Sequence, residues 1–338
     1  MLISTDGPGP KVQPSKASPA GISGDRKRRT AAAERLRSLA ASVWKQRLSY
    51  LFIAPFFIAF GLFILVPIAT AVAMSYSNFN ALQPPRWVGW LNFQSLFSQD
   101  IVFLQHVVPN TFKFALFVGP VGFVLSLGLA WLISLLPQKL RIIYALAIYA
   151  PSLTAGAAMT VIWQVAFTGD RTGYLNSFLL KLGFVQRPVL FLLDQDYLLN
   201  IMIIISVWSS MGIGFLAMLA GILNVDKQLY EAGRIDGISS RLEEMWYITL
   251  PSMKPQLLFA AVMSIVGMLK SGGAGKELVG FPTPNYAGQL IVTHMEDYGF
   301  IRYELGYASA ISVCLLALML MLNQLLRRWL APKGEDAL

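Results

Sequence analysis

The sequence predicts an all-α, polytopic membrane protein with six transmembrane helices and one cytoplasmic pair of short helices. Two observations carry this prediction. Of 338 residues, 55% are hydrophobic and only 13% are charged, whereas soluble domains carry about 25% charged residues. In addition, five windows without Lys, Arg, Asp or Glu each hold the roughly 20 apolar residues that one span requires. These windows are 48–85, 114–138, 142–169, 197–225 and 305–326.

Each window holds one predicted helix. The five helices are placed at 50–76, 110–136, 142–168, 197–223 and 305–328. A sixth helix is predicted at 255–275, although it contains Lys270 and runs into the glycine-rich stretch 271–275. Pro255 favours a helix start there, because proline is tolerated in the first helical turn. With a sixth helix, both chain ends lie on the same side of the membrane, which agrees with the basic residues that both ends carry.

The basic residues indicate an orientation. With the amino terminus inside, nineteen Lys and Arg fall in inside segments and six in outside segments, so both termini and the segment 224–254 are predicted to be cytoplasmic. Residues 1–49 are predicted to be a disordered basic tail near anionic lipid, in which 31–47 can form an amphipathic surface helix. Residues 50–330 would be the membrane domain, and 331–338 a cytoplasmic C-terminal tail.

Several function classes are excluded or disfavoured by residue types. The one cysteine, Cys314, lies in an apolar run, and His106 and His294 have no neighbouring ligand pattern, so no metal site is predicted. No G-x-x-x-x-G-K-[ST] motif is present, so this chain is not expected to bind ATP through a P-loop. The net charge of +9 is spread over loops between apolar runs, which the membrane explains better than nucleic-acid binding does.

The segment 224–254 carries clear helix signals. Asp226 is predicted to cap a first helix and Gly237 to end it in a left-handed turn. Ser240 and Glu243 have the spacing of a capping box that opens a second helix, which we expect to stop before Pro251.

Helical spacing also predicts how the second helix packs. Leu242, Met245 and Trp246 recur at i, i+3 and i+4 and should form one apolar face.

Within this segment, Tyr230 to Pro251 resembles the EAA loop of binding-protein-dependent ABC importer permeases. That pattern is Glu-Ala-Ala, three residues, Gly, about nine residues and Ile-x-Leu-Pro. The matching residues are Glu231, Ala232, Gly237, Ile248, Leu250 and Pro251. Gly233 replaces the second alanine, and ten residues instead of nine separate Gly237 from Ile248, so the turn or the second helix must accommodate one extra residue.

Two further stretches are similar to the carbohydrate-importing branch of these permeases. They are Trp87-Val88-Gly89-Trp90-Leu91-Asn92-Phe93 through Phe97 with Asn110-Thr111, and Leu305-Gly306-Tyr307-Ala308-Ser309-Ala310. The resemblance covers roughly residues 50 to 330, and the order of the motifs is more specific than any one of them.

The resemblance implies a multi-pass subunit of a bacterial inner membrane that translocates a carbohydrate. It implies four partners besides membrane lipid: a second homologous permease, two ATPase subunits and an extracytoplasmic solute-binding protein. ATP and Mg would be bound by the ATPase subunits, so the chain itself is expected to hold no cofactor and to catalyse no reaction. The outer loops 78–109 and 276–304 are the predicted contacts of the binding protein.

In that family the EAA loop docks on an ATPase subunit, and we call residues 224–254 the coupling loop. The expected coupling residues are Glu231, Ala232, Gly233, Asp236, Gly237, Ile248, Leu250 and Pro251. Glu231 can pair with a basic group at a partly desolvated interface, small Ala232 and Gly233 would let the partner approach, and Gly237 would set the angle between the helices. The alternative is an ordinary amphipathic loop on the membrane, with Glu231 and Asp236 merely solvated.

The substrate path is predicted in the fourth helix, where Trp208, Ser209 and Ser210 interrupt the apolar run. Trp208 could stack on a sugar ring while the serines bind its hydroxyls; helix packing is the alternative, because small residues favour close helix contacts. Lys270 is an ionisable group in a membrane helix and therefore a second site hypothesis, with snorkelling to the outer surface as its alternative.

Two rival functions stay open at this point. A stand-alone secondary transporter or channel would match the EAA pattern by accident, but the sequence has no recognisable internal repeat and no buried acidic residue for ion coupling. A membrane scaffold for a soluble complex would have no substrate pathway between its helices.

Overall fold

A computed structural model describes residues 47–153 and 156–330 of the chain. The predicted tail before residue 47 and the tail 331–338 lie outside these ranges. Nearly all regular structure is helical, as the composition predicted. The α-helices, in chain order, are α1 Arg47–Phe60, α2 Val66–Ser75, α3 Leu91–Ser98, α4 Val108–Ser134, α5 Gln138–Leu153, α6 Gly156–Ala166, α7 Tyr174–Lys181, α8 Gln195–Ser209, α9 Ile213–Leu223, α10 Lys227–Ile235, α11 Arg241–Glu243, α12 Leu250–Ser252, α13 Lys254–Lys270, α14 Ala274–Val279, α15 Ile291–Glu296 and α16 Leu305–Leu330.

Shorter elements join these helices. Four segments are π-helical: Gly61–Leu65, Phe103–Val107, Glu244–Thr249 and Asp297–Ile301. Two are 3₁₀-helical, Ser271–Gly273 and Pro284–Tyr286. One antiparallel hairpin pairs β1, Ser77–Asn78, with β2, Arg86–Trp87, in the register Ser77 to Trp87 and Asn78 to Arg86.

The chain divides into two units, residues 1–68 and 69–338. In the described part of the first unit, α1 and the π-helical turn form one continuous apolar helix whose large side chains are exposed. Exposure of this kind is expected for side chains that face lipid. α2 begins at Val66, before the boundary at residue 68, and all later elements belong to the second unit.

Among the described residues, three helices are long and apolar enough to cross a membrane by themselves: Leu51–Ser75, Phe103–Ser134 and Leu305–Arg328. They correspond to the predicted helices 50–76, 110–136 and 305–328. The second begins seven residues earlier than predicted, because a π-helical turn at Phe103–Val107 runs directly into α4.

The predicted helix 197–223 is bent. α8 and α9 meet at 41° across residues 210–212, and together they satisfy the length and hydropathy of one span. Gly212 precedes α9 with φ −101° and ψ −132°, outside the helical region.

The two remaining predicted spans also differ in detail. Helix 142–168 is found as α5 and α6, with residues 154 and 155 outside the described part. Helix 255–275 is found as α13, which ends at Lys270, followed by a 3₁₀ turn and α14. The glycine-rich stretch 271–275 ends the long helix, as expected for residues with low helix propensity.

Three clusters of buried apolar residues hold the second unit together. The first joins α4 to α8 and α14, for example through Phe114, Met202 and Leu278. The second joins the end of α4 to α9 and to the start of α13, and it includes Ile133 and Ile222. The third joins α3 and Phe103–Val107 to α16. The two ends of α4 therefore lie in different clusters, and the end near Ser134 shares its cluster with Leu250 and Met253 of the coupling loop.

Candidate functional site

The first helix of the coupling loop has both predicted caps. The Asp226 carboxylate accepts a hydrogen bond from the Gln228 N–H at 3.0 Å. At the other end Gly237 adopts φ +96°. The N–H of Ile238 donates to the Gly233 carbonyl at 2.9 Å, and that of Gly237 donates to the Arg234 carbonyl at 3.3 Å. This pair of bonds is the Schellman arrangement, which glycine favours because it has no Cβ.

The second helix opens with the predicted capping box. Ser240 Oγ accepts from the Glu243 N–H at 3.1 Å, while the Glu243 carboxylate accepts from the N–H groups of Ser239 and Ser240 at 2.9 and 3.1 Å. These backbone donors lower the pKa of the Glu243 carboxyl below its ordinary value. The capping box therefore uses an ionised glutamate at neutral pH.

The prediction that this helix stops before Pro251 is wrong. Helical structure continues through the π-helical segment Glu244–Thr249 and on through α12 to Ser252. Pro251 lies in the first turn of α12, where a missing N–H is tolerated. A π-helical turn accommodates one residue more than an α-helical turn, and this one lies in the interval between Gly237 and Ile248 that is one residue longer than the EAA pattern.

A buried carboxylate joins the two helices. Glu244, whose side chain is 10% exposed, accepts from Arg234 at 3.2 Å and from Arg241 at 3.3 Å. Beside it, the hydroxyls of Tyr230 and Thr249 lie 2.9 Å apart. The helix pair is thus fixed by polar contacts between its two members as well as by their caps.

Packing inside the pair explains Gly233. A Cβ on this residue would lie 2.7 Å from Ile248 Cδ1 and 3.1 Å from Ile238 Cδ1. Gly233 and Ile248 are both buried, so Gly233 faces into the loop on the isolated chain, and its role in close approach of a partner stays a prediction. Its small size serves contact with Ile248 in the same loop, while the neighbouring Ala232 remains exposed.

The predicted apolar face of the second helix is also wrong. Met245 is buried, whereas Leu242 is 60% and Trp246 is 68% exposed. The π-helical turn changes the angular spacing after Glu243, so the simple i, i+3, i+4 pattern no longer places these side chains on one side. The loop consequently presents Leu242, Trp246 and Ile235 outward on the isolated chain.

The remaining coupling residues are also either exposed or packed against other parts of the chain. Glu231, Asp236 and Pro251 are exposed. Leu250 packs on the apolar cluster that includes Met253, and this connects the loop to α4 and α9.

A cavity of about 420 Å³ lies among the helices of the membrane domain, and we call it the transmembrane cavity. α4, α5 and α13 each contribute a wall, and the bend between α8 and α9 contributes the fourth. The hydroxyl-bearing residues of the wall are Ser126, Tyr149, Ser152, Ser209, Ser210 and Ser264. In the described part of the chain this wall has no charged side chain.

The structure brings two of the predicted substrate-path residues together and leaves a third outside. Ser209 and Ser210 line the cavity at the helix bend. Trp208 is not in the wall; its ring packs edge-to-face on Trp163, with 5.4 Å between ring centroids. Lys270 is the last residue of α13, and its side chain lies outside the described part.

Close packing fixes the bend beside the cavity. A Cβ on Gly122 of α4 would lie 2.5 Å from Ser210 Oγ and 3.3 Å from Ser210 Cβ. The Ser210 hydroxyl itself donates to the Val207 carbonyl at 2.7 Å. The bent helix therefore contacts α4 at van der Waals distance only because residue 122 is glycine.

Comparison with known proteins now adds to this geometry. Residues 138–334 match the family described as "Binding-protein-dependent transport system inner membrane component". The chain belongs to this family. The match includes the coupling loop and three of the four walls of the transmembrane cavity: α5, α13 and the bend between α8 and α9.

Two relatives are similar over most of their length. The Arabinooligosaccharides transport system permease protein AraP of Bacillus subtilis (strain 168) is 32% identical over 280 residues, covering 82% of this chain and 87% of AraP. The Polygalacturonan/rhamnogalacturonan transport system permease protein YteP of the same organism is 28% identical over 316 residues, covering 90% and 94%.

A solved structure supports the fold. A bacterial ABC transporter involved in the import of the acidic polysaccharide alginate contains a chain that superposes with a TM-score of 0.74 at 23% identity, covering 88% of this chain and 100% of that chain. The predicted family resemblance and the polytopic fold are thus confirmed, and the rival of a stand-alone secondary transporter or channel is not supported.

Sequence reasoning missed several residues of this inner membrane component. Arg234, Glu244 and Thr249 stood inside the recognised loop, and a Glu with two Arg within ten residues was a usable signal for an ion-pair cluster. Tyr149 and Ser264 of the cavity carried no such signal, because a single polar residue in an apolar helix does not show which way it faces.

Proposed function

We propose that this chain is the membrane-spanning subunit of an ATP-driven importer that translocates an oligosaccharide delivered by an extracytoplasmic binding protein. The observation that carries the proposal is the coupling loop, a helix pair joined through buried Glu244 and capped at both helix starts. A loop of this construction can transmit force without bending. An unstructured loop could not.

The outward face of the coupling loop would contact an ATPase subunit. Glu231 is available there as a charged partner for a basic side chain. Ile235, Leu242 and Trp246 are exposed apolar side chains, and burial of such groups is the main favourable contribution to association. ATP and Mg would be bound by that partner, and this chain would contribute no catalytic group.

The transmembrane cavity would form part of the substrate path. Its six hydroxyl-bearing residues can exchange hydrogen bonds with sugar hydroxyls, and its apolar remainder suits the C–H faces of a sugar ring. Ser209 and Ser210 stand at a bend, where a change in the angle between α8 and α9 would open or close the wall. The names of AraP and YteP, both transport proteins for oligo- or polysaccharides, support a carbohydrate substrate.

A complete importer would contain this chain, a second homologous permease, two ATPase subunits and the binding protein. A related alginate transporter has been solved in complex with its alginate pentasaccharide-bound periplasmic protein. The positive-inside bias supports cytoplasmic termini and a cytoplasmic coupling loop. Loaded binding protein and ATP would then favour an outward-open state, and hydrolysis would reset it.

Two substitutions test the coupling role in the reconstituted importer. Gly237→Pro forces φ to about −65° where the loop needs a positive value, and Glu231→Lys reverses the exposed charge. Both variants should insert normally and lose stimulation of ATP hydrolysis by loaded binding protein. Gly183→Pro is a matched control, since Gly183 also has a positive φ, +74°, but lies outside the coupling loop. Normal transport by either loop variant would contradict the proposal.

A further inference from the structure

A second cavity, of about 500 Å³, lies at the end of the membrane domain opposite the coupling loop, and we call it the outer cavity. The hairpin β1–β2, the helix α3 and the start of α16 surround it. Because Leu250 and Met253 of the coupling loop share a cluster with the Ser134 end of α4, the Phe103 end of the same span is the opposite end. The volume falls within the roughly 300–1,000 Å³ typical of small-molecule sites.

A buried hydrogen-bond cluster fixes one wall of the outer cavity. Asp100 Oδ2 accepts from His294 Nε2 and from the Tyr307 hydroxyl, both at 2.9 Å, and Oδ1 accepts from the Phe103 N–H at 2.8 Å. Burial raises the pKa of the Asp100 carboxyl, but the hydrogen bonds from His294 and Phe103 outweigh it and lower the pKa to about 2. Three separate chain segments are thus joined by one ionised carboxylate.

The opposite wall is fixed by backbone contacts. The Asn92 side-chain amide donates to the carbonyls of Ser75 and Ser77, both at 2.9 Å. A Cβ on Gly306 would lie 2.0 Å from the Ser77 carbonyl oxygen, and the Gly306 N–H donates to Phe79 at 3.1 Å. The hairpin is held directly against α16, so the cavity is preformed and needs no ordering when a ligand enters.

The polar groups in the wall suit hydroxyls. Asn78, Gln99 and Glu304 line the cavity. Gln99 uses its oxygen, which accepts from Ser95 at 3.4 Å, and its NH₂ group has no partner among the described residues. Amides offer donors and acceptors side by side, and a carboxylate accepts from two neighbouring hydroxyls.

The charged residues in the wall of the outer cavity are acidic. Asp100 and Glu304 are acidic, and among the described residues the lining has no Lys or Arg. Arg302 lies outside the lining, over the Tyr298 ring at 4.3 Å, and it is already paired with Asp297 at 2.7 Å. A ligand with its own carboxylates would therefore meet two acidic groups of the lining and no unpaired cation of the lining, which costs binding free energy. An uncharged ligand would not incur this cost.

An aromatic cluster adjoins the lining residues in the chain. Trp90 precedes Leu91, which lines the cavity, and Trp90 is 68% exposed. Its ring is held against Tyr76 and Phe93, with centroid distances of 5.1 and 5.2 Å. A fixed, exposed indole can cover the apolar face of a sugar ring at low entropic cost.

From this arrangement we infer that the outer cavity is an oligosaccharide subsite, separate from the transmembrane cavity, that accepts uncharged sugars and disfavours uronate-containing ones. Asn78, Gln99 and Glu304 bind hydroxyls, Trp90 stacks on a sugar ring, and Asp100 is a positioning residue. The inference rests on the proposed function for the class of ligand. It makes the subsite the first place in this chain where a sugar released by the binding protein is held.

Saturation-transfer NMR on the full chain in nanodiscs tests the subsite, with arabinotriose and trigalacturonate as probes. Arabinotriose should bind and trigalacturonate should not. The double variant Asn78→Leu, Gln99→Leu should bind arabinotriose about tenfold more weakly or worse, because two hydrogen-bonding side chains are lost. Gln94→Leu is the matched control on the same helix, as Gln94 is exposed and outside the lining. Glu304→Gln should improve binding of trigalacturonate.

Equal binding of the two probes by wild type would overturn the inference, and so would full binding by the double variant. Thiol labelling of a Gln99→Cys variant in a Cys314→Ser background shows directly whether the sugar occupies the cavity. Protection by arabinotriose is expected, and unchanged labelling in the presence of arabinotriose would overturn the subsite. The Gly237→Pro experiment measures coupling to ATP hydrolysis and not sugar binding. Failure of the coupling proposal can therefore be distinguished from failure of the subsite proposal.

Discussion

The coupling loop and the transmembrane cavity are two parts of one membrane domain built in different ways. The loop is fixed by charges and caps that lie within about 30 residues of one another, such as Glu244 with Arg234 and Arg241. The cavity is formed by residues of α4, α5, α8, α9 and α13, which lie between positions 123 and 267, with hydroxyls in its wall and a glycine contact between Gly122 and Ser210. Local polar contacts therefore give the loop its rigidity, while close packing of small residues gives the cavity its shape.

If the two regions have separate tasks, a lesion in the cavity should spare the loop. Gly122→Val should have the largest effect, because its Cβ would overlap Ser210 and overpacking costs about 1–3 kcal/mol. We expect transport to fall at least about tenfold, with the ATPase still bound. Transport of radiolabelled oligosaccharide and pull-down of the ATPase measure the two outcomes.

Gly128→Val is the control for this variant. Gly128 lies on the same helix, and a Cβ there would meet nothing within 4 Å. Equal loss of transport in both variants would mean that helix propensity, and not contact with Ser210, is responsible.

A lesion in the loop should show the converse. Glu244→Ala removes the carboxylate that joins the two helices and should cost up to about 1 kcal/mol of local stability, a modest value because Arg234 and Arg241 are each at least 60% exposed and screened by water. Hydrogen exchange of the amides in 240–250 should accelerate, and stimulated ATP hydrolysis should fall. Asp236→Asn, at an exposed residue of the same loop, should leave exchange unchanged.

These contrasts also show what could be predicted from the sequence. Caps at Asp226, Gly237 and Ser240 were predictable because each depends on residues two to five positions away. The π-helical turn at Glu244–Thr249 was not predictable in position, although the extra residue between Gly237 and Ile248 required some accommodation. Its presence reversed the expected exposure of Trp246 and carried the helix past Pro251.

The cavity was less predictable for a physical reason. Ser209 and Ser210 were noticed as polar residues in an apolar run, but the 41° bend depends on contact with α4. Neither the exclusion of Trp208 from the wall nor the contribution of Tyr149 follows from periodicity, since both depend on how distant helices pack. The Asp100–His294–Tyr307 cluster joins residues about 200 positions apart and had no local signal.

The helix cap offers a smaller test of the loop. Ser240→Ala removes one side of the capping box and should cost about 1 kcal/mol, with a partial decrease in coupling. Ser239→Ala is the comparison variant, because it leaves Ser240 in place and keeps the bond from the Ser239 N–H to Glu243. Chemical denaturation monitored by Trp246 fluorescence would compare the two; equal effects would contradict the cap.

The smallest effect is expected at Gly233. Gly233→Ala restores the residue of the EAA pattern, and the atoms it meets are the terminal methyls of Ile248 and Ile238, which can shift. Alanine gains up to about 1 kcal/mol of helix propensity over glycine, so stability and coupling should stay near wild type. Gly233→Leu, which no methyl shift can accommodate, should separate the helices and lose stimulated ATP hydrolysis.

Co-purification of the tagged chain with its ATPase subunit is the most direct test of the account. Wild type should be recovered as a stoichiometric complex with the ATPase, and Glu231→Lys should not. Asp196→Lys should form the complex as wild type does, because Asp196 is an exposed acidic residue at the start of α8, the end of that span opposite the coupling loop. If the wild-type chain purified alone and moved solute without ATP, or if Glu231→Lys bound the ATPase as well as wild type, the coupling loop would not be the contact that drives transport.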